Sequence, residues 1–513
     1  MSLLEGRTLW ELIDRRVAET PDALMAVDED MRTLTFGELA EDAERAAAGL
    51  RELGVGPDVV VSWQLPTWIE SMVLVAALSR LDAIQNPILP IYREREVRFC
   101  TNQADAKLII VPSVWNKVEY EAMATDIARD KGDMQVLVAD KTLPQGDPAS
   151  LPPRPGAADP GDQPVRWLFY TSGTTADPKG ARHTDANVAA VARGMAERLA
   201  VSTGDRNAMV FPFTHVGGIT WLFLSLQTGC SNIFLEAFDP QKTPEVLSRE
   251  GVTLAGAGTV FHKVYLAAQQ ASDTPLFPRV RGFTSGGAPK PPQLHYDLLE
   301  AFGTGIYSAY GLTEAPILTM SGLDDTDEEL AHTEGKPLPG VELKLVKLDG
   351  TVAGEGEAGE VRVKAPQVMQ GYLDSSLDAE AFDEEGYFRT GDLGRLDERG
   401  NLVITGRLKD VIIRKGENIS ASEVEAHLYG HDKIGDVAVI GLADPERGER
   451  VCAVVQTAEG ADDITLAEMA AHLESQGLMK QKIPEQLEII EVIPRNPSGK
   501  VLKHVLCDRY STS

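Results

Sequence analysis

Cysteine is scarce in this chain of 513 residues: Cys100, Cys230, Cys452 and Cys507 stand far apart, with no metal-ligand spacing. That excludes a disulfide scaffold or a thiolate metal cluster and predicts buried free thiols in a reducing cytoplasm. Positive charge is also in short supply. With 49 basic against 78 acidic residues the net charge is −29, a field that repels nucleic acid and anionic membrane, so any polyanionic ligand has to be gripped locally. Long apolar runs are missing too. The longest, around MVLVAALSR, is broken by Ser79 and Arg80, so no integral membrane segment is expected. The first residues, MSLLEGRTLWELIDRR, carry acids and no extended apolar core, unlike a signal peptide or anchor.

What is present is a chain too long for one core, with the 43% hydrophobic and 6% aromatic content of a globular protein, so two or more domains are expected. Residues 7–19 read as an amphipathic helix, ALMAVDEDMRTLTF as two strands about an acidic turn, and Phe36 to Leu53 as a second helix. Strand-like VVVSWQL, helix-like TWIESMVLVAALSRL and strand-like KLIIVP continue the rhythm of a layered α/β domain. After Lys141, TLPQGDPASLPPRPGAADPGDQ suits a solvated connector. Beyond it NAMVFPF, NIFLE, VTLAGAG, VRGFTSGG and GIYSAYG are candidate strands. Near Lys336 the pattern turns to hairpins, one with Gly400-Asn401 at its tip. Past Arg407 the alternation of VIIR, SASEVEAHLYG, DVAVIGL, RVCAVVQTA and LAEMAAHLESQG is enough for a separate domain of about a hundred residues.

The stretch with most chemistry is FYTSGTTADPKGARHT, read as lying between the strand that ends at Phe169 and the helix-like DANVAAVARGMAERLA. Thr171, Ser172, Thr174 and Thr175 offer hydroxyls, Gly173 and Gly180 let a ligand approach the backbone, and Lys179 adds a cation, which is the composition of a phosphate cradle. It is not a Walker loop, because Ala181 follows Lys179-Gly180.

Five further stretches accompany it: TSGGAP at 284–289, YGLTEA at 310–315, YFRTGDLG at 387–394, GRLKDVIIRKGENIS at 406–420 and PRNPSGKVLK at 494–503. Together the six closely resemble the ordered motifs of the adenylate-forming superfamily, which comprises acyl-CoA synthetases, luciferases and adenylation domains. The resemblance implies an α/β fold with a large N-terminal adenylation domain, residues 1–408, made of two layered α/β subdomains and a small β module, and a small mobile α+β domain, residues 409–513. It also implies ATP, Mg²⁺ and CoA, a small-molecule carboxylic acid as substrate, and a homodimer as one assembly.

Residue by residue, the resemblance gives the loop from Thr171 to Lys179 the β- and γ-phosphates and gives Glu314 the Mg²⁺. Tyr310 stacks on adenine in a slot shaped by Gly287, Ala288 and Pro289, with Gly311 and Thr313 in the same nucleotide site. Asp392 accepts from the ribose hydroxyls, beside Arg407. Lys500 stabilises the adenylation transition state, Asp410 is the hinge, and Lys415, Gly416 and Glu417 line the route of the CoA thiol.

The segment FPFTHVGG at 211–218 lacks the aspartate with which amino-acid-activating relatives hold an ammonium group, so the substrate is expected to be another kind of acid. His215 aligns with a residue beside the carboxylate and CoA tunnel, and Val216, Gly217, Gly218, Gly256, Ala257 and Gly258 are expected to line the acyl pocket. A pair of prolines usual in the family is replaced by Gly258-Thr259-Val260, which implies a roomier pocket, and Ala176 stands in place of a usual glycine. Residues 62–99 look most like medium-chain, alicyclic and steroid-acid CoA ligases, so a fatty, cyclohexane-type or sterol side-chain acid is expected. The alternatives are a free-standing enzyme that loads a carrier protein, a luciferase-like oxygenase and an inactive nucleotide sensor.

Overall fold

The computed structural model describes residues 3–6, 8–154, 163–171, 178–288, 290–415, 417–495 and 501–511. It separates into two compact units, one made of Met1–Glu342 with Lys364–Gly386 and the other of Leu343–Val363 with Tyr387–Ser513. The expected division at 408/409 is defined by a hinge rather than by packing, and it falls inside the second unit.

The first unit contains a six-stranded sheet in the order 180–184, 165–170, 84–87, 60–63, 108–111, 135–138. All neighbouring pairs run parallel except the first. A four-stranded sheet joins 206–209, 231–234, 24–28 and 33–35, and another joins 283–286, 306–310, 319–320 and 336–337. The helices Ile69–Arg80 and Val216–Thr228 are buried almost all the way round, as expected for helices apolar on every face. The one charge at the end of the first, Arg80, is 5% exposed and is answered by Glu44 at 3.0 Å.

Three expectations need correction here. The phosphate loop does not run into a helix: a strand, Gly180–Thr184, follows it and pairs antiparallel with Val165–Tyr170. The helix Asp185–Arg198 begins only after that strand, capped by a reciprocal pair between Thr184 and Asn187. The connector after Lys141 is also less solvated than its composition suggests. Its first part lies on the helix Phe36–Glu52, where a Cβ on Gly49 would stand 2.7 Å from Pro144 backbone and one on Gly146 would stand 2.7 Å from Ala48 backbone. Two glycines thus let two backbones touch. VTLAGAG contributes isolated bridges at Leu254 rather than a strand.

The second unit pairs strands 342–346, 359–364, 388–396 and 402–407 in one sheet and 417–420, 411–414, 448–457, 434–444 and 486–489 in another. The helices Ala421–Leu428 and Leu466–Ser475 contribute to its core through Val424, Leu428, Met469 and Leu473. Cys100, Cys230, Cys452 and Cys507 are all free. No helix among the described residues is long and apolar enough to cross a membrane.

Candidate active site

The strand Gly180–Thr184 is a crossbar to which residues 370–373 and the Thr313 turn of the first unit attach. At its start, the Thr171 backbone N–H donates to the Lys179 carbonyl at 3.0 Å, closing the base of the loop. Along its free edge, the Leu373 N–H donates to the Gly180 carbonyl at 2.8 Å and the Arg182 N–H to the Gly371 carbonyl at 3.0 Å, so residues 370–373 run beside it. Further along, His183 Nε2 lies 2.9 Å from the Thr313 carbonyl. His183 is fully buried, and loss of water pushes its imidazole down to about 4. The ring is therefore neutral and ties YGLTE to the crossbar as a donor.

This arrangement produces a linkage in which Tyr372 stands between a cation and an anion. The Tyr372 hydroxyl donates to Glu314 Oε1 at 2.8 Å, and Lys179 Nζ lies 5.4 Å from the centroid of the same ring. Burial first, and the Glu314 charge second, raise the phenol's pKa, so it stays protonated. Glu314 is half-buried and makes no ion pair with any described residue. A carboxylate oriented by a neutral donor keeps its charge for a cation. No group of three or more His, Cys, Asp or Glu among the described residues is built to hold a metal by itself. One carboxylate beside a phosphate loop fits Mg²⁺, which is commonly held by one or two carboxylates together with substrate phosphates.

Tyr310, 9% exposed, ends the strand Ile306–Tyr310, which runs parallel to Phe283–Gly286 with Ala309 opposite Gly286. The exposed Gly287 and Ala288 therefore emerge next to Tyr310, at the ends of parallel strands where α/β sheets place ligands. Gly311 and Thr313 follow in the turn that leads to Glu314.

The Gly256–Gly258 turn lies against this same edge: a Cβ on Gly256 would meet Thr284 Oγ1 at 2.9 Å. His215 and Val216 stand elsewhere. They line a small cavity together with Thr313, Phe169 and the segment Pro87–Leu89. None of the residues lining it comes from 256–258. Gly217 and Gly218 belong to the first turn of the helix Val216–Thr228, and Gly218 is backed onto Phe213, whose carbonyl oxygen would lie 2.5 Å from a Cβ.

His215 caps that helix, with Nδ1 accepting from the Gly217 N–H at 3.0 Å. This fixes the neutral tautomer with its proton on Nε2. Crowding by protein lowers the imidazole pKa, although water at the exposed edge of the ring moderates the effect.

In the second unit, Asp392 is 2% exposed and its Oδ1 lies 2.7 Å from Arg407 Nε, on paired strands where the two residues face each other. Asp410 ends a short 3-10 turn at Leu408–Asp410, between the strands Leu402–Arg407 and Val411–Arg414. Lys415 is exposed, has φ +50°, and begins the tight turn between Val411–Arg414 and Glu417–Ser420. Ser172, Gly173, Thr174, Thr175, Ala176, Pro289, Gly416 and Lys500 lie outside the described residues.

Sequence reasoning missed Tyr372 and His183. Their partners, Thr313 and Glu314, are distant in the chain, and nothing in the local sequence signals those contacts.

A family model described as "AMP-binding enzyme" matches residues 13–373, and one described as "AMP-binding enzyme C-terminal domain" matches residues 423–500. The chain is 32% identical to a salicyl-AMP ligase / salicyl-S-ArCP synthetase of Mycobacterium tuberculosis, covering 98% of this chain and 90% of the relative. It is also 32% identical to a medium-chain fatty-acid–CoA ligase of Escherichia coli, covering 95% and 87%. Among solved structures, ATP-bound MatB from Rhodopseudomonas palustris superposes with a TM-score of 0.87 at 27% identity, covering 98% of this chain and 99% of that one. An o-succinylbenzoate CoA synthetase from Bacillus subtilis in complex with ATP and magnesium ion gives 0.81 at 27% identity, covering 96% and 98%.

Proposed function

The chain belongs to the AMP-binding enzyme family, and from that premise we propose that it is an AMP-forming acid–thiol ligase. A carboxylate oxygen attacks the α-phosphate of ATP and pyrophosphate leaves. The thiol of CoA then attacks the acyl carbon and AMP leaves. The observation that carries this reading is the linkage Lys179, Tyr372, Glu314: a cation at the phosphate loop and an uncompensated carboxylate, held apart by one ring.

The first step brings two anions together, so the chain's work is to neutralise and orient charge. Thr171 to Lys179 hold the outer phosphates. Mg²⁺ at Glu314, when bound, withdraws charge from the phosphate oxygens. Tyr310 packs on the adenine beside Gly287, Ala288 and Pro289, with Gly311 and Thr313 alongside, and Asp392 accepts from the ribose hydroxyls next to Arg407. Lys500 stabilises charge on the transferring oxygens. For the second step, residues 409–513 turn about Asp410 and Lys415, Gly416 and Glu417 line the way of the thiol.

In the acid pocket, the Nε2–H of His215 donates to the substrate carboxylate. Among the described residues no Asp, Glu, Lys or Arg lines the cavity, which supports a frame with no second carboxylate and no ammonium group, of the fatty, alicyclic or steroid side-chain kind. Transfer to a carrier protein is the second reading, favoured by the salicyl-S-ArCP synthetase among the relatives.

The test is acid-dependent pyrophosphate release with MgATP, with and without CoA. CoA-dependent acyl thioester with AMP supports the ligase, whereas adenylate that accumulates and ignores CoA supports the carrier reading. Lys500→Ala should abolish pyrophosphate release while thioester still forms from supplied acyl-adenylate. Equal loss of both half-reactions would remove Lys500 from that role.

A further inference from the structure

Lys290 is a buried cation that neither step of the reaction uses. It follows directly on Gly287, Ala288 and Pro289, is 9% exposed, and its Nζ donates to the Thr333 carbonyl at 2.7 Å. Lysine is rarely so buried without a partner. Burial pushes its ammonium down, and the charge of the neighbouring Glu334 lifts it part of the way back. Glu334 is half-buried, and its carboxylate takes a hydrogen bond from the Ser308 side chain. Ser308 lies opposite Ser285 in the paired strands and two residues before Tyr310, on the same buried face. The segment that receives Lys290 is itself fixed. The Thr319 hydroxyl donates to the Glu334 carbonyl at 2.7 Å, the Gly335 N–H donates to the Thr333 hydroxyl at 3.2 Å, and a Cβ on Gly335 would stand 2.1 Å from Met320 backbone. Residues 333–335 are thereby held on Thr319 and Met320, which pair with Tyr310 and Ala309.

We propose that Lys290 is a positioning residue for the nucleotide: its bond to the Thr333 carbonyl sets the spacing between the turn at Gly287 and Ala288 and the ring of Tyr310, the two sides of the adenine slot. This rests on reading those residues as that slot. Strand pairing ends at Gly286 with Ala309, and Gly287 and Ala288 beyond it are exposed. The Lys290 bond then brings the chain back to the segment that is fixed beside Tyr310. A buried ion pair is a poor source of net stability compared with apolar side chains of the same volume, and its best-attested use is to fix register. A hydrogen bond to a backbone carbonyl has a set length and direction, whereas an apolar side chain at 290 would let the turn slide. The slide would change the grip on a flat base and leave the cavity beside His215 as it is, so its effect belongs to ATP rather than to the acid.

Lys290→Met keeps the length of the side chain and removes the donor. Calorimetric titration with MgATP and acid-dependent ATP–pyrophosphate exchange should show Kd and KM for ATP raised about tenfold, with kcat and the KM for the acid within about twofold of the wild type. Lys290→Met combined with Glu334→Gln leaves no carboxylate without its cation and keeps an acceptor for Ser308. The double variant should regain the thermal stability that the single variant loses, while its affinity for ATP stays low. ATP affinity that recovers together with stability would make Lys290 a structural residue and overturn the proposal. So would a Kd and KM for ATP within about twofold of the wild type in both variants. Should the single variant not fold, the Kd of the double variant decides alone. Tyr310→Ala separates the proposal from the reading beneath it. If that variant binds ATP more weakly and the Lys290 variants do not, the proposal falls and the slot stands. If it binds ATP as the wild type does, the slot reading falls and the proposal with it.

Discussion

Two carboxylates in two units of the molecule are handled in opposite ways. Glu314, in the first unit, is oriented by a neutral phenol at 2.8 Å and has no ion pair among the described residues. Asp392, in the second, is almost fully buried and faces a guanidinium at 2.7 Å. The difference follows from what each charge has to do. A neutral donor fixes direction without cancelling charge, so Glu314 can still attract a cation brought with a triphosphate. A buried carboxylate without a cation would be costly. Arg407 faces that charge, and a carboxylate held in this way suits the proposed acceptor role toward sugar hydroxyls.

The comparison breaks most visibly at Glu314. Glu314→Gln keeps the shape and removes the charge, and acid-dependent ATP–pyrophosphate exchange should fall by about 10²–10³-fold, the scale of losing one group that stabilises developing charge. The residual activity should respond weakly to Mg²⁺. A variant whose Mg²⁺ half-saturation matched the wild type would show that the uncompensated charge is not used for the metal.

At Asp392 the sharper test is an asymmetry. Arg407→Gln removes the cation that faces a buried carboxylate and should cost about 2–3 kcal/mol of stability, below the range for fully buried pairs because the Arg407 side chain is 35% exposed. Asp392→Asn instead leaves a guanidinium that can turn to water, so its stability cost should stay near 1 kcal/mol. Its main effect should be a rise of about tenfold or more in KM for ATP. Urea denaturation and ATP titration read both numbers, and equal stability losses would contradict the assigned direction of dependence.

Tyr372→Phe is gentler still, because the ring under Lys179 remains and only the hydroxyl goes. The expected result is a three- to tenfold rise in the Mg²⁺ needed for half-maximal exchange, about the net value of one ordinary hydrogen bond. No change in Mg²⁺ dependence would make Tyr372 a packing residue alone.

These residues also mark what could be read in advance. The helix Ile69–Arg80 and the strand Val165–Tyr170 were legible because apolar runs are a local signal, and the loop's chemistry was legible from its hydroxyls, glycines and lysine. The strand Gly180–Thr184 was not. GARHT has no period of its own, and its extended form comes from pairing with residues 165–170 on one side and 370–373 on the other, a context that sets strand formation more than propensity does. Tyr372 escaped for the same reason, since it lies 58 residues from Glu314 and nothing near it in sequence signals that contact. The connector misled through composition, because Pro, Gly and Asp mark irregular backbone, which can still pack when a facing glycine allows close approach.

His183 extends the use of neutral partners to the crossbar, and its effect should appear in stability rather than in turnover. In the folded protein its imidazole is pushed down to about 4, against an ordinary value of 6.5. Above pH 6.5 neither state is protonated there and His183 adds no pH dependence. As pH falls from 6.5 to 4 the unfolded chain takes up a proton that the folded chain refuses, so stability declines, by up to about 1.4 kcal/mol per pH unit. Below pH 4 the folded state accepts the proton as well and the slope ends. His262, also buried and also pushed down to about 4, contributes in the same direction, so a subtraction is needed. His183→Gln keeps an amide donor for the Thr313 carbonyl and removes the titration. Its stability should lie below the wild type by a constant amount at pH 7 and above, and the gap should narrow by about 1–3 kcal/mol between pH 6.5 and 4. A gap that stays constant across this range would mean that the ring can charge in place. YGLTE would then be tied to the crossbar in contact with water rather than in its absence.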